Sequence, residues 1–227
     1  MQGALIFTIL WAQWTNPLTG NQFNNPISSS LDSFLYGKMQ QRMLEHSFAA
    51  QQGSAAQRGS APQPAQRPPM SVAHKSLAAS DFRPMGPGHP TVEGYLSSPN
   101  FNADTRRTMR AMFDTTFAVL GKARRNNVAT ALAGALGVAM GIVSQRPLSG
   151  AAAGELILNV NDLLAESPDF ARLRPNEKQA IYETLVMTTA LLAFMQQAGQ
   201  SNPNLKAQSV VAAQAVLQRL TGSPTFR

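Results

Sequence analysis

Cysteine is absent from this chain. Disulfides, thiolate nucleophiles and Cys-ligated zinc are therefore excluded. The absence fits the cytosol and fits equally an exported protein held by packing alone. Charge is scarce as well. Asp, Glu, Lys and Arg make up 14% of the residues, against about a quarter in ordinary domains. No run of five like charges occurs, so the net charge of +7 is a weak pointer to an anionic partner. Aromatics stand at 7%, with two Trp and three Tyr. A strand pattern of useful length, an internal repeat and a Gly-x-Ser-x-Gly nucleophile elbow are all missing.

What is present divides by composition along 227 residues. Residues 1–14 hold the apolar run GALIFTILW, Gly3–Trp11, about as long as a signal-peptide core. It lacks a preceding Lys or Arg, and Leu10-Trp11-Ala12 is a poor cleavage site. The run reads as a truncated signal or as a short buried strand or helix turn. A signal would place the protein in the periplasm or outside the cell; cytoplasmic and membrane-associated placements are the alternatives. Residues 15–52 contain one candidate helix with Ser30 as N-cap. Its apolar residues Leu31, Phe34, Leu35, Met39 and Met43 recur at helical spacing. Residues 53–100 read as a low-complexity linker, GSAAQRGSAPQPAQRPPM, with an extended arm, SDFRPMGPGHPTVEG. The linker cannot bury enough apolar surface to fold alone. Each proline of the arm biases its predecessor away from helix. Much of 50–78 is expected to be mobile.

Residues 101–227 read as an all-α domain, a compact bundle of about five helices. The first is capped by Asn102 and carries Met109, Met112, Phe113, Phe117 and Leu120 on one face. Asn127 caps the second, whose core is VATALAGALGVAMGIV, Val128–Val143. The third follows Ser149 with the stripe Leu156, Ile157, Val160, Leu163 and Leu164. The fourth opens at Pro175 and is apolar on most sides, so it belongs in the interior. The fifth opens at Asn202-Pro203, carries Val210, Ala213, Leu217 and Leu220, and closes at Gly222. The second and fourth helices form the expected centre.

The second helix raises the membrane question. Its sixteen uncharged residues span about 24 Å, short of the roughly 30 Å hydrocarbon slab. They are rich in Ala and Gly and lean in Leu, Ile and Phe, so insertion is weakly driven. Gly134, Gly137 and Gly141 form a small-residue face, and interior glycine costs a helix about 1 kcal/mol relative to Ala. Close packing compensates, and the fourth helix, with Met187, Leu191 and Phe194, is the expected neighbour. A membrane-active or pore-forming hairpin of the second and fourth helices is the alternative.

A resemblance appears in the order of the motifs. SDFRP (Ser80–Pro84) precedes an Arg-bearing helix with Arg106 and Arg107. A small-residue helix opened by Asn127 comes next, then Pro168-Asp169-Phe170, then NEKQAIYETL, Asn176–Leu185. This resembles an uncharacterised bacterial helical-domain family of unknown function over roughly 80–222. Glu177-Lys178-Gln179 with Tyr182-Glu183 carries the sharpest match. Where that family starts its second helix with Asp, this chain has Asn127, and both residues cap. The resemblance implies a bacterial origin, an N-terminal signal and a variable low-complexity segment. It implies no activity.

Glu183 is the candidate for chemistry. A carboxylate on an apolar helix face must be paired or protonated. One reading makes it a general base or ligand contact with a raised pKa. The other makes it an internal salt bridge to Arg106, Arg107 or Arg110, with Gln179 and Tyr182 completing a hydrogen-bond cluster. Glu155, Asn159, Asp162 and Glu166 form a polar stripe on the third helix, read as a solvated face. His46, His74 and His89 are isolated, so no metal site is expected. No cofactor and no catalytic set are indicated. Arg106, Arg107, Arg110, Lys122, Arg124 and Arg125 have no Trp or Tyr nearby, so a nucleic-acid partner is not expected. The expected role is a non-enzymatic exported interaction or structural module with an unknown protein partner; an enzyme centred on Glu183 is a further alternative.

Overall fold

The computed structural model describes residues 73–221. Seven α-helices follow a 3₁₀ turn at Leu77–Ser80: α1 Pro90–Leu96, α2 Ala103–Ala123, α3 Val128–Ser144, α4 Gly150–Glu166, α5 Pro168–Arg172, α6 Pro175–Gly199 and α7 Pro203–Thr221. Named strands are lacking among the described residues, and Asp81 and Asn127 form an isolated antiparallel bridge.

The helix starts follow the sequence closely. Asn102, Asn127, Ser149 and Ser167 each accept a backbone N–H of the following first turn, the ordinary use of these residues at an N-cap. The Glu177 carboxylate accepts the Arg174 N–H at 2.7 Å and closes the start of α6. Pro175 and Pro203 open α6 and α7, where a missing N–H costs nothing. Gln145 ends α3 in the left-handed region, at φ 54°. Gly199 ends α6, and a Cβ there would meet the Lys206 backbone at 2.9 Å. Only glycine lets α7 turn back this closely.

The centre is α3 against α6, the most extensive contact in the fold, with α7 lying across both, α4 against α3 and α2 against α6. The all-α class and the two central helices agree with the sequence. Ala129, Ala131, Ala135 and Ala139 of α3 are sealed, as are Val186, Ala190 and Leu192 of α6. Small side chains on α3 let three helices surround it, and Leu132, Leu136 and Ile142 supply its apolar bulk. Each such aliphatic side chain contributes about 1.5–3 kcal/mol when fully buried.

The arm departs from the extended reading. Residues 73–100 lie against the bundle, with Phe82, Val92 and Leu96 in the common core. Pro90, a helix-avoiding signal in the sequence, sits at the first position of α1, where its fixed φ suits a helix. Pro168 does the same for α5. Of the stretch expected to move, 73–78 is held in place, and 50–72 lies outside the described residues. So do the Gly3–Trp11 run, the candidate helix after Ser30, His46 and Gly222. Among the described residues no helix is long and apolar enough to cross a membrane.

Candidate functional site

Glu183 faces inward from α6 and has no exposed surface. Its Oε2 accepts the Thr91 backbone N–H at 2.7 Å, and its Oε1 accepts Gln179 Nε2 at 2.8 Å. His89 Nδ1 lies 3.5 Å from Oε1. Thr91 is in the first turn of α1, and the N-cap residue His89 makes no side-chain cap bond. The carboxylate of α6 therefore caps α1 from across the fold. A negative group there also suits the positive end of the helix dipole. Gln179, itself buried, accepts the Met85 N–H at 3.0 Å. The His89 ring stacks on Phe117 of α2, with centroids 3.8 Å apart and planes 4° from parallel.

The expected arginine partners are elsewhere. Arg106 donates to the Ser98 carbonyl at 3.2 Å, Arg107 pairs with Asp104 at 3.6 Å, and Arg110 grips Glu93 with both terminal nitrogens. All three are exposed residues of α2, and a long guanidinium gains more at the solvated rim than inside. The Thr91 backbone and the His89 imidazole of the arm, with the Gln179 amide of α6 itself, take their place. Tyr182 turns its ring to Phe82 and Phe117, with centroids 5.3 and 5.7 Å away. It belongs to that aromatic cluster. Burial pushes the Glu183 carboxyl up, but the contacts from His89, Gln179 and Thr91 outweigh it, and its pKa is below the ordinary value. This reverses the raised pKa that a general-base reading requires.

A second polar cluster has a fainter sequence signature. Asn127 is fully buried. Its Oδ1 accepts the Thr130 N–H at 2.8 Å while Nδ2 donates to Leu77 O, Ser80 Oγ and Asp81 Oδ1 at 2.8–2.9 Å. Asn161 of α4 accepts the Ser80 hydroxyl at 2.7 Å and donates to the Lys75 and Ser76 carbonyls. Arg124 meets Asp81 with two bonds, at 2.6 and 2.5 Å, and holds that carboxyl below the ordinary range. The polar stripe of α4 is not purely solvated: Asp162 contacts His74 Nδ1 at 2.7 Å and accepts the Lys75 N–H at 2.8 Å. Glu155 lies 3.7 Å from His74. Sequence reasoning missed Asn161, although it interrupts the apolar face between Ile157 and Leu164. Ser80 and Asp81 carry no such signal, since they fall outside any apolar periodicity in the sequence.

The glycine face of α3 does not meet α6. A Cβ on Gly134 would lie 2.8 Å from Leu120 Cδ2, one on Gly137 3.0 Å from Leu148 Cδ1, and one on Gly141 3.4 Å from the Arg146 carbonyl. The neighbours are thus α2, the α3–α4 loop and α4, in place of Met187, Leu191 and Phe194. Helix α6 takes the other side, where the Leu and Ala side chains offer apolar area that glycine lacks. Because α2 touches α3 only sparsely, an open apolar groove of about 330 Å³ runs over the glycines. Val119, Ala123, Gly134, Gly137, Leu148 and Ile157 are among its lining residues. A second hollow of about 380 Å³ shares Ala123, Thr130 and Ile157 and reaches Leu77 and Gly154. Val119 is 56% exposed.

Among the described residues no group of three His, Cys, Asp or Glu side chains is placed to hold a metal ion. No curated protein and no solved structure matches the chain. The matching family model covers residues 2–222, so it takes in the N-terminal segment as well as the bundle. Its reach is wider than the 80–222 of the expected resemblance. The chain belongs to this family, a family of unknown function (DUF6683).

Proposed function

We propose that the chain is a non-enzymatic interaction module whose binding surface is the groove over the glycine face of α3. One observation carries the reading. The polar side chains at the centres of the two buried clusters, Glu183, Gln179, Asn127 and Asn161, are bonded to the chain's own arm. The open apolar surface, by contrast, is walled by α2 and α4 and floored by small residues. A floor of Ala133, Gly134 and Gly137 admits a helix backbone at short range, and the walls fit its apolar side chains. The ligand class is an amphipathic helix with an aliphatic stripe. Export belongs to the same reading and is supported by the Gly3–Trp11 run; fractionation of the native host checks it.

The test titrates a fluorescent synthetic Leu/Lys amphipathic helix to saturation against the full chain. Val119→Asp with Ala123→Asp, on the exposed rim of the groove, weakens binding at least about tenfold, roughly the cost of 1.4 kcal/mol. Val211→Asp, on the exposed face of α7, leaves it unchanged. Equal binding by all three chains, or no saturable binding, removes the groove as the functional surface.

A further inference from the structure

We infer that the helix seated in this groove is the chain's own Leu31–Met43 segment. The inference rests on the groove reading above and names the occupant of the same site. Three observations converge on it. First, the described chain begins beside the hollow that adjoins the groove: His74 is held by Asp162 of α4, and Leu77 lines that hollow. Second, the residues preceding His74 contain a fitting ligand. The spacing of Leu31, Phe34, Leu35, Met39 and Met43 after Ser30 reads as the apolar stripe of an amphipathic helix. Methionine and leucine adapt to a smooth floor of small side chains. Third, the family match begins at residue 2, so this segment belongs to the family's shared unit along with the bundle.

Reach does not limit the contact. The 29 residues between Met43 and Ala73 span at most about 100 Å when extended. A tether of this kind raises the local concentration of the helix into the range of about 1 mM, so even a weak groove contact is occupied in the intact chain. A partner helix then binds by displacing an internal one.

The absence of native cysteine makes the test clean. Met39→Cys is combined with Val119→Cys in one full-length chain and with Val211→Cys in another. Both second positions are exposed apolar residues, so neither substitution disturbs the core. Under mild oxidation the Met39/Val119 pair closes within one chain at least about tenfold faster than the Met39/Val211 pair, as expected from local concentration. Equal rates overturn the inference. A disulfide between two chains, whose rate rises with protein concentration, also overturns it and assigns the groove to a second copy. Faster closure of Ile6→Cys with Val119→Cys overturns it in favour of the Gly3–Trp11 run. A second readout separates this failure from failure of the groove itself. Leu35→Asp with Met39→Asp is expected to tighten binding of the Leu/Lys helix at least about tenfold by vacating the site. Binding that stays sensitive to Val119→Asp while Leu35→Asp with Met39→Asp changes nothing keeps the groove and discards the internal occupant.

Discussion

The cluster around Asn127 and Asn161 holds the arm from Lys75 to Asp81 with neutral amides, whereas the cluster around Glu183 holds His89 and Thr91 with a carboxylate. Both are fully buried at their centres. Both satisfy backbone groups that would otherwise be orphaned under the arm. They differ in what they ask of solvent conditions. An amide carries no charge and makes the same bonds at any pH between its extremes. A buried carboxylate makes stronger bonds to N–H donors but must stay ionised to do so. The two attachments thus differ at their centres, one built on neutral amides and one on an ionised carboxylate. Asp81 with Arg124 adds a partly exposed charged flank to the first cluster, but the centre of that cluster is the pair of asparagines.

The sharpest way to break the comparison is at its neutral side. Asn127→Ala removes the α3 cap and the three bonds that Nδ2 donates to the arm. A lost cap costs about 1 kcal/mol and each stranded buried partner costs more, so a total of about 3 kcal/mol is expected by urea unfolding. Glu183→Gln is milder. The amide oxygen can still cap α1 through Thr91, but the charge-assisted part of three contacts is lost, about 2 kcal/mol. A loss at Glu183→Gln as large as at Asn127→Ala would erase the distinction between the clusters. No loss at either would show that the arm adds nothing to the stability of the bundle.

Acid sharpens the contrast without a mutation. The folded pKa of Glu183 lies below its ordinary value. Its contribution is therefore complete above the unfolded pKa, near 4.5, and is lost as pH falls through the lower folded value. Asp81 and Glu93 are shifted in the same direction, by Arg124 and by Arg110. Hydrogen exchange distinguishes the two attachments residue by residue. The Thr91 N–H points at a carboxylate and loses protection as pH falls through the lowered folded pKa of Glu183. The Thr130 N–H points at an amide oxygen and keeps its protection over the same range. Parallel loss at both sites would mean that one cooperative unit opens, and Glu183→Gln should then leave the acid midpoint unchanged.

The bundle was legible because its signals are local. Caps at Asn102, Asn127 and Ser149 and prolines at 175 and 203 act within one turn, so the chain states them directly. The importance of Glu183 was legible too, as a charge on an otherwise apolar face. Its partner Gln179, one turn away, was legible as well; the others were not, because they come from His89 and Thr91, more than ninety residues away, in a stretch whose prolines argue for coil. Proline at a first helical position and proline in a loop look alike until a neighbouring element supplies the cap. Asn161 could have been found by the same rule that found Glu183. The groove had no sequence signature. It depends on which side of α3 the larger helix chooses, and that is decided by the summed burial of Leu132, Leu136 and Ile142 on the face away from the glycines.

At the surface the comparison predicts little. Arg110 and Glu93 join α2 to α1 through a two-bond pair, yet each side chain is about half exposed. Solvent and salt screen such pairs, so Arg110→Ala is expected to cost under about 1 kcal/mol and to cost less in high salt. A larger, salt-independent loss would make this rim contact a third attachment of the arm.

Tyr95 reverses the sign. Its ring packs among Phe101 and Phe113, and its hydroxyl is buried with no hydrogen-bond partner among the described residues. Burial pushes the phenol up to about 12. In the unfolded chain that hydroxyl is hydrated, and folding strips the water without replacing it. The ring would bury the same apolar area as phenylalanine, so Tyr95→Phe is expected to leave stability unchanged or raise it by up to about 1 kcal/mol. The clusters around Asn127 and Glu183 are stabilising because their buried polar atoms are paired; the same burial without pairing is a cost. A destabilised Tyr95→Phe chain in thermal unfolding would show that the hydroxyl is bonded in solution, and Tyr95 would then join the groups that fasten α1.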